Sequence, residues 1–482
     1  MTSLRPALPA LLTLAVGLWP AAVSVSAPLS AQERPTPGPA VAPFVSIDAP
    51  VVALTHVRLV DGTGTPARED QTVLVRGATI EAVGPAASVG VPADARVVDL
   101  TGHTLIPGLV SLHEHTWFGG VRQPTQMETA PLLYLAMGVT TAMTAGSQFP
   151  YHELNLKRAV EAGVIPGPRM HVTGPYLTSG SPRPGANRIV STPDEVRRVV
   201  SYWAEEGATW FKFLGAGTTG LLAAAIEEAH GRGLRVTGHL CSITFSEAAR
   251  LGIDALQHGY ITNSDYVPGK TPGVCPADNM RIQADVDVES PAVRQSIADL
   301  AAMGAPVVST LGVYETFMPD RARLDARALA MLRPGTRAEV EANHAGLVEG
   351  GLIVPERLLE KMKRWERMFV ESGGLLGAGS DPWGTGFLPG FGNLRNVELL
   401  VEAGFRPEEA IRIATLNGAR ILGEDAERGS ITVGKRADLV VVRGDPVADP
   451  SSIYEVVTVF RDGLGYDSAR LRAAASWTIG PG

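Results

Sequence analysis

Across residues 105–423 the chain repeats one pattern: a helix-like segment stops at a glycine, and an apolar, β-prone run begins at once. The junctions are Gly138 (then Val-Thr-Thr-Ala-Met), Gly163 (running on to Arg-Met-His-Val), Gly207 (Ala-Thr-Trp-Phe-Lys-Phe) and Gly233 (Leu-Arg-Val-Thr). Gly252 (Ile-Asp-Ala-Leu), Gly304 (Ala-Pro-Val-Val) and Gly374 (Leu-Leu-Gly-Ala) continue the series. A glycine just past a helix end supplies the left-handed backbone that terminates it. One helix start is equally legible, because Thr192-Pro193-Asp194-Glu195 combines a capping box with a proline in the first turn. Seven junctions and the opening strand predict eight helix-separated parallel strands, the pattern of a (β/α)8 TIM-like barrel. An open doubly wound sheet is the alternative, but no Gly-rich phosphate fingerprint follows the first strand.

The flanks read differently. Residues 51–104 hold short β-rich runs (Val52-Ala53-Leu54, Val73-Leu74-Val75, residues 80–83) separated by turn clusters such as Asp61-Gly62-Thr63-Gly64. The same pattern returns in residues 424–482, at 430–433, 437–442 and 456–460. Neither flank has enough strands to bury a face alone, so the two ends are expected to join in one small β-sandwich beside the barrel.

Composition adds the compartment. Residues 1–31 read as an export signal: Arg5 opens an apolar run, and small residues lead to a cleavage site after Ala31. An uncleaved anchor is the alternative, disfavoured by Pro20 and the many alanines, so no stable membrane anchor is expected. Residues 32–50, with five prolines, are expected to form an extended leader with little packing. Charged residues are 19% of the 482 and the net charge is −8, with no basic stripe, which argues against nucleic acid as a partner. Only Cys241 and Cys275 are present; one disulfide or two half-buried thiols both fit. A small-molecule substrate is the expected partner, and a homo-oligomer is one expected form of the assembly.

The chemistry gathers at strand ends. His113 and His115 finish the first strand, and alternation along a strand points both imidazoles one way and Glu114 the other. Such a pair suits a metal ion, although one core and one surface histidine is the plain alternative. Lys212 sits in Trp-Phe-Lys-Phe on the fourth strand, His239 and His258 end the fifth and sixth, and Asp381 follows the eighth. The long connections 175–191, 259–290 and 311–355 lie on this same face, where such barrels keep their active sites.

With these residues in place the sequence resembles the metal-dependent amidohydrolase superfamily, in the branch of prolidase-like and imidazolonepropionase-like enzymes. The likeness spans the mature chain, from the Pro-Gly-x-x-x-x-His-x-His segment at 107–115 to Lys435-Arg436-Ala437-Asp438-Leu439-Val440. It implies a binuclear centre of divalent ions, zinc above all: His113, His115 and Asp381 on one, His239 and His258 on the other. Lys212, carboxylated by CO2 to N6-carboxylysine, would bridge them, since a free ammonium beside two cations is electrostatically prohibitive.

The implied reaction is hydrolysis of an amide bond in a small substrate: a dipeptide, an N-acyl amino acid or a cyclic amide. Asp381 would be the general base and acid, and Tyr260 the donor to the carbonyl or tetrahedral oxygen. Trp117, Tyr176, Tyr314 and Arg188 are the further candidates for substrate contact, with Arg183 and Lys270 as weaker cations for a carboxylate. A lactone or ester hydrolase is the nearest alternative. A mononuclear deaminase is disfavoured, because those relatives carry glutamate three residues after the fifth-strand histidine and this chain has Ser242. A secreted binding protein that has lost catalysis is a third reading, opposed by the full ligand set.

Overall fold

Eight parallel strands follow one another around a ring: Leu109–Glu114, Val139–Thr144, Arg169–His171, Trp210–Gly215, Arg235–Leu240, Ala255–Gln257, Val307–Ser309 and Leu376–Ala378. The computed structural model describes residues 34–119, 124–180, 188–318, 321, 324–350, 355–382 and 387–479. The expected export signal and Arg183 lie outside the described residues. The first three strands pair in parallel, as do the fourth to eighth. The third meets the fourth through Thr209 N–H to Val172 O (2.9 Å) and Gly174 N–H to Trp210 O (3.0 Å). The eighth returns to the first through Ser380 and Asp381, whose N–H groups both donate to His113 O at 3.1 and 2.9 Å. At that seam the backbones nearly touch: a Cβ on Gly379 would lie 2.4 Å from His113 Cβ.

Six of the seven predicted junction glycines have positive φ, as a helix-ending left-handed residue requires. At the seventh the role belongs to Gly373 (φ 86°), one residue earlier. Gly374 serves a different purpose, because its missing side chain makes room for the Phe369 ring. The capping box forms as expected: the Thr192 hydroxyl accepts from Glu195 N–H (3.3 Å), and Glu195 Oε2 accepts from Thr192 N–H (3.2 Å).

Both flanks merge into one nine-stranded sheet, joined where Leu439–Arg443 runs antiparallel to His103–Pro107. Alternation sorts its residues. Val52, Leu54, Val73, Val75, Leu105, Leu439 and Val441 enclose a core of their own, while Val440, Val442, Val459 and Tyr466 join the barrel's main core. The stretch from Leu105 to His115 is therefore two strands, not one. Gly108 N–H still donates to Asp438 O of the sandwich, and Leu109 N–H already donates to Gly138 O of the barrel.

Residues 34–50 also correct the expectation of a loosely held leader. Val45–Ile47 adds an outer strand against Leu464–Asp467, and Val41 and Ile47 are buried. Apolar residues at 41 and 47 and an open sheet edge outweigh the prolines. Cys241 and Cys275 form a disulfide, which ties the connection after the sixth strand to the end of the fifth. Among the described residues no helix is long and apolar enough to cross a membrane.

Candidate metal centre

The strand ends bring the expected residues together. Each of His113, His115 and Asp381 offers a ligand atom, and these atoms lie within 4.8 Å of one another. Asp381 is central: Oδ1 is 3.0 Å from His115 Nε2 and 3.6 Å from His113 Nε2, and Oδ2 is 3.8 Å from His258 Nδ1. Lys212 Nζ lies 3.0 Å from His113 Nε2. The His239 ring stands 4.5 Å from that of His258, nearly perpendicular to it. His258 and Asp381 both take left-handed backbone (φ 70° and 52°) without being glycine, a conformation that costs about 1–3 kcal/mol and recurs at functional sites.

Partners behind the imidazoles fix which nitrogen faces the centre. Gln257 Nε2 donates to Thr237 Oγ1 (2.7 Å), so its Oε1 is turned to accept from His113 Nδ1 (2.6 Å). That leaves the lone pair of His113 on Nε2, toward Lys212 and Asp381. His258 Nδ1 is 2.8 Å from Thr310 Oγ1, and its buried Nε2 has no hydrogen-bond partner among the described residues. An orphaned buried imidazole nitrogen beside a carboxylate, two oriented histidines and an amine is a donor set that fits divalent metal.

The electrostatics agree with ligation. Burial, helped by the nearby Lys212, pushes the His113 imidazole well below its usual range, and burial does the same to His258. Both are therefore neutral, as ligands must be. Burial brings the Lys212 amine down to about 7, with Asp381 opposing, so a large share is the neutral nucleophile that CO2 requires. Burial opposes ionisation of the Asp381 carboxyl, but the His115 Nε2 contact at 3.0 Å favours it, and the group is held well below the carboxylate range.

Glu114 points away from the centre, as alternation requires. It accepts from Ser111 and from Ser380 Oγ (2.6 Å) and Asn393 Nδ2 (2.6 Å), bracing the first strand against the eighth and the helix Phe391–Glu402. Burial pushes this carboxyl up to about 6. Tyr134 clamps the other side, donating to His115 O (2.7 Å) and accepting from His115 N–H (3.2 Å). Sequence reasoning missed Tyr134, Gln257, Thr310 and Asn393.

The substrate-contact candidates divide. The Tyr314 ring is 5.6 Å from that of His258, and the Tyr176 ring is 5.5 Å from Lys212 Nζ. Tyr176 takes this position because Gly146 (φ 90°) has no side chain; a Cβ there would lie 2.0 Å from the ring. Trp117 packs on His115 with 4.7 Å between rings. Tyr260 does not serve as expected. Its hydroxyl donates to Gln283 O (2.8 Å) and its ring stacks on Tyr266, so the proton is committed elsewhere. Arg188 is exposed, and its charge acts on Glu195 of the capping box. Lys270 Nζ donates to Ser242 O (2.6 Å).

The comparisons with known proteins agree with this fold. The chain is 24% identical over 382 residues to an imidazolonepropionase of Pseudomonas paraeruginosa, covering 77% of this chain and 87% of that one. A bottromycin amidohydrolase structure superposes with a TM-score of 0.69 at 21% identity, covering 92% of this chain and 95% of the other. A Xaa-Pro dipeptidase structure with bound methionine in its active site gives 0.63 at 19% identity, covering 86% and 100%. Residues 104–464 match the model of the amidohydrolase family, and the chain belongs to that family.

Proposed function

We propose that the protein is an exported, binuclear hydrolase that cleaves the amide bond of a small substrate, such as a dipeptide, an N-acyl amino acid or a cyclic amide. The observation that carries this reading is the convergence of His113, His115 and Asp381 beside Lys212, on the active face of an amidohydrolase-family barrel. In the proposal His239 and His258 hold the second ion, and Lys212 bridges the two as a carbamate. Divalent ions, when bound, lower the pKa of water from about 15.7 to about 7 and polarise a carbonyl oxygen.

The chain's own groups supply the rest. Asp381, ionised at neutral pH, takes the proton of the attacking water and returns it to the departing nitrogen. Its two oxygens reach toward different imidazoles, so one carboxylate serves both halves of the transfer. Burial raises the Tyr314 phenol well above its usual range, keeping it a proton donor for the oxygen of the tetrahedral state. Tyr314 thus takes the role first read into Tyr260. The Cys241–Cys275 disulfide supports an oxidising compartment, in line with the export signal.

The test is metal analysis of the purified protein together with turnover of a panel of dipeptides, N-acyl amino acids and lactones. Two zinc ions per chain and hydrolysis of an amide member are expected. Activity confined to lactones or esters would move the reading to the alternative bond type.

A further inference from the structure

The indole N–H of Trp117 has no role in the chemistry above. Trp117 opens the short strand Trp117–Gly119, which pairs antiparallel with Pro124–Gln126 just after the strand carrying His113 and His115. Its ring lies against His115, tilted by 33°. The residue is only 2% exposed, and Nε1 has no hydrogen-bond partner among the described residues. Trp365, equally buried, donates its Nε1–H to Tyr266 Oη at 3.0 Å. Folded chains retain few buried unpaired donors, and indole N–H groups usually find a partner. Beside a candidate metal ligand, the natural source of the missing acceptor is the bound ligand.

The chemistry of that acceptor is constrained. An indole nitrogen only donates, so the partner carries a lone pair and is neutral or anionic. We infer that Trp117 donates to an oxygen of the substrate outside the bond that is cleaved, a carbonyl or a carboxylate on the amine side. This rests on the amide-hydrolysis reading, and it makes Trp117 a specificity-determining residue.

Trp117→Phe keeps an aromatic ring against His115 and removes the donor. Wild type and variant are compared on N-acetyl-leucine, N-acetyl-leucinamide and N-(3-methylbutyl)acetamide, the last lacking any oxygen outside the scissile amide. Relative to the third compound, the variant's KM for the acid is expected to rise about tenfold or more, with metal content retained. A rise for the acid alone assigns a carboxylate oxygen; a rise for acid and amide alike assigns a carbonyl oxygen. Equal effects on all three compounds, no effect on any, or loss of metal would overturn the inference. Calorimetric binding of N-acetyl-leucine separates the two readings. If the wild type cleaves no amide in the wider panel yet binds this compound more tightly than the variant does, the hydrolysis reading falls and the donor assignment stands. Absence of both binding and cleavage in the wild type overturns the assignment.

Discussion

Asp381 is the residue on which the proposed chemistry turns, because its carboxylate faces three imidazoles at once. Asp381→Asn keeps the shape and removes the proton acceptor, so a folded variant with kcat lowered about 10²–10⁴-fold is expected from steady-state kinetics. Near-normal turnover would remove its base role. Lys212→Ala is expected to lose most bound metal and activity, with partial rescue by acetate or propionate; full activity without added acid would sink the bridging carbamate. The tyrosines make a paired test. Tyr314→Phe should lower kcat about 10²-fold or more. Tyr260→Phe should leave kcat within about twofold and cost about 1 kcal/mol in urea unfolding, since its hydroxyl only bridges to Gln283 O.

Among the elements, the connection after the sixth strand is the one under covalent restraint. The disulfide closes a span of 34 residues and fixes it two residues beyond His239. Chain-entropy reasoning assigns such a closure about 3–4 kcal/mol. Replacing both cysteines by serine should lower stability by that order in denaturant titration and speed metal release to a chelator, because the connection that follows His258 is then less ordered. The elements also mark how far sequence reading reaches. Gly138 through Gly304, the Thr192 capping box and the His113–His115 pair are local signals, complete within a few residues, and they were legible. Gln257 behind His113, Thr310 behind His258 and Asn393 behind Glu114 were not. Each is an ordinary polar residue whose partner lies dozens to hundreds of positions away. Tyr260, two residues past His258, is the better donor by sequence, and only the packing of Gln283 and His258 reverses the order in favour of Tyr314.

For the molecule as a whole, stability in acid depends on a cluster of charges where the barrel's third strand meets the sandwich. Arg169 pairs with Asp462 at 3.0 Å and lies 3.6 Å from Asp438. Glu424 faces His171 at 3.1 Å and pairs with Arg428. Burial raises the Glu424 carboxyl, but His171 and Arg428 bring it down to about 2 from an ordinary 4.5. A depressed acid contributes stability above its unfolded value and loses that contribution as pH falls toward the folded one. Glu424→Gln should therefore cost about 2–3 kcal/mol at pH 7 and nearly nothing at pH 2. Urea midpoints measured across that range check it; a cost that does not change with pH would show a packing effect instead.

The seam between the last and first strands constrains how this enzyme can change. His113 is at once a candidate ligand and, through its carbonyl, the acceptor that joins Ser380 and Asp381 to the opening strand. Gly379 lies so close to His113 that even alanine would force the strands apart. A mutation that re-aimed these ligands would thus disturb the chain's closure as well, and selection would see a folding defect before it saw a new activity. Changes of specificity are accordingly expected to come from the connections above the ring, where residues can be exchanged without reopening it.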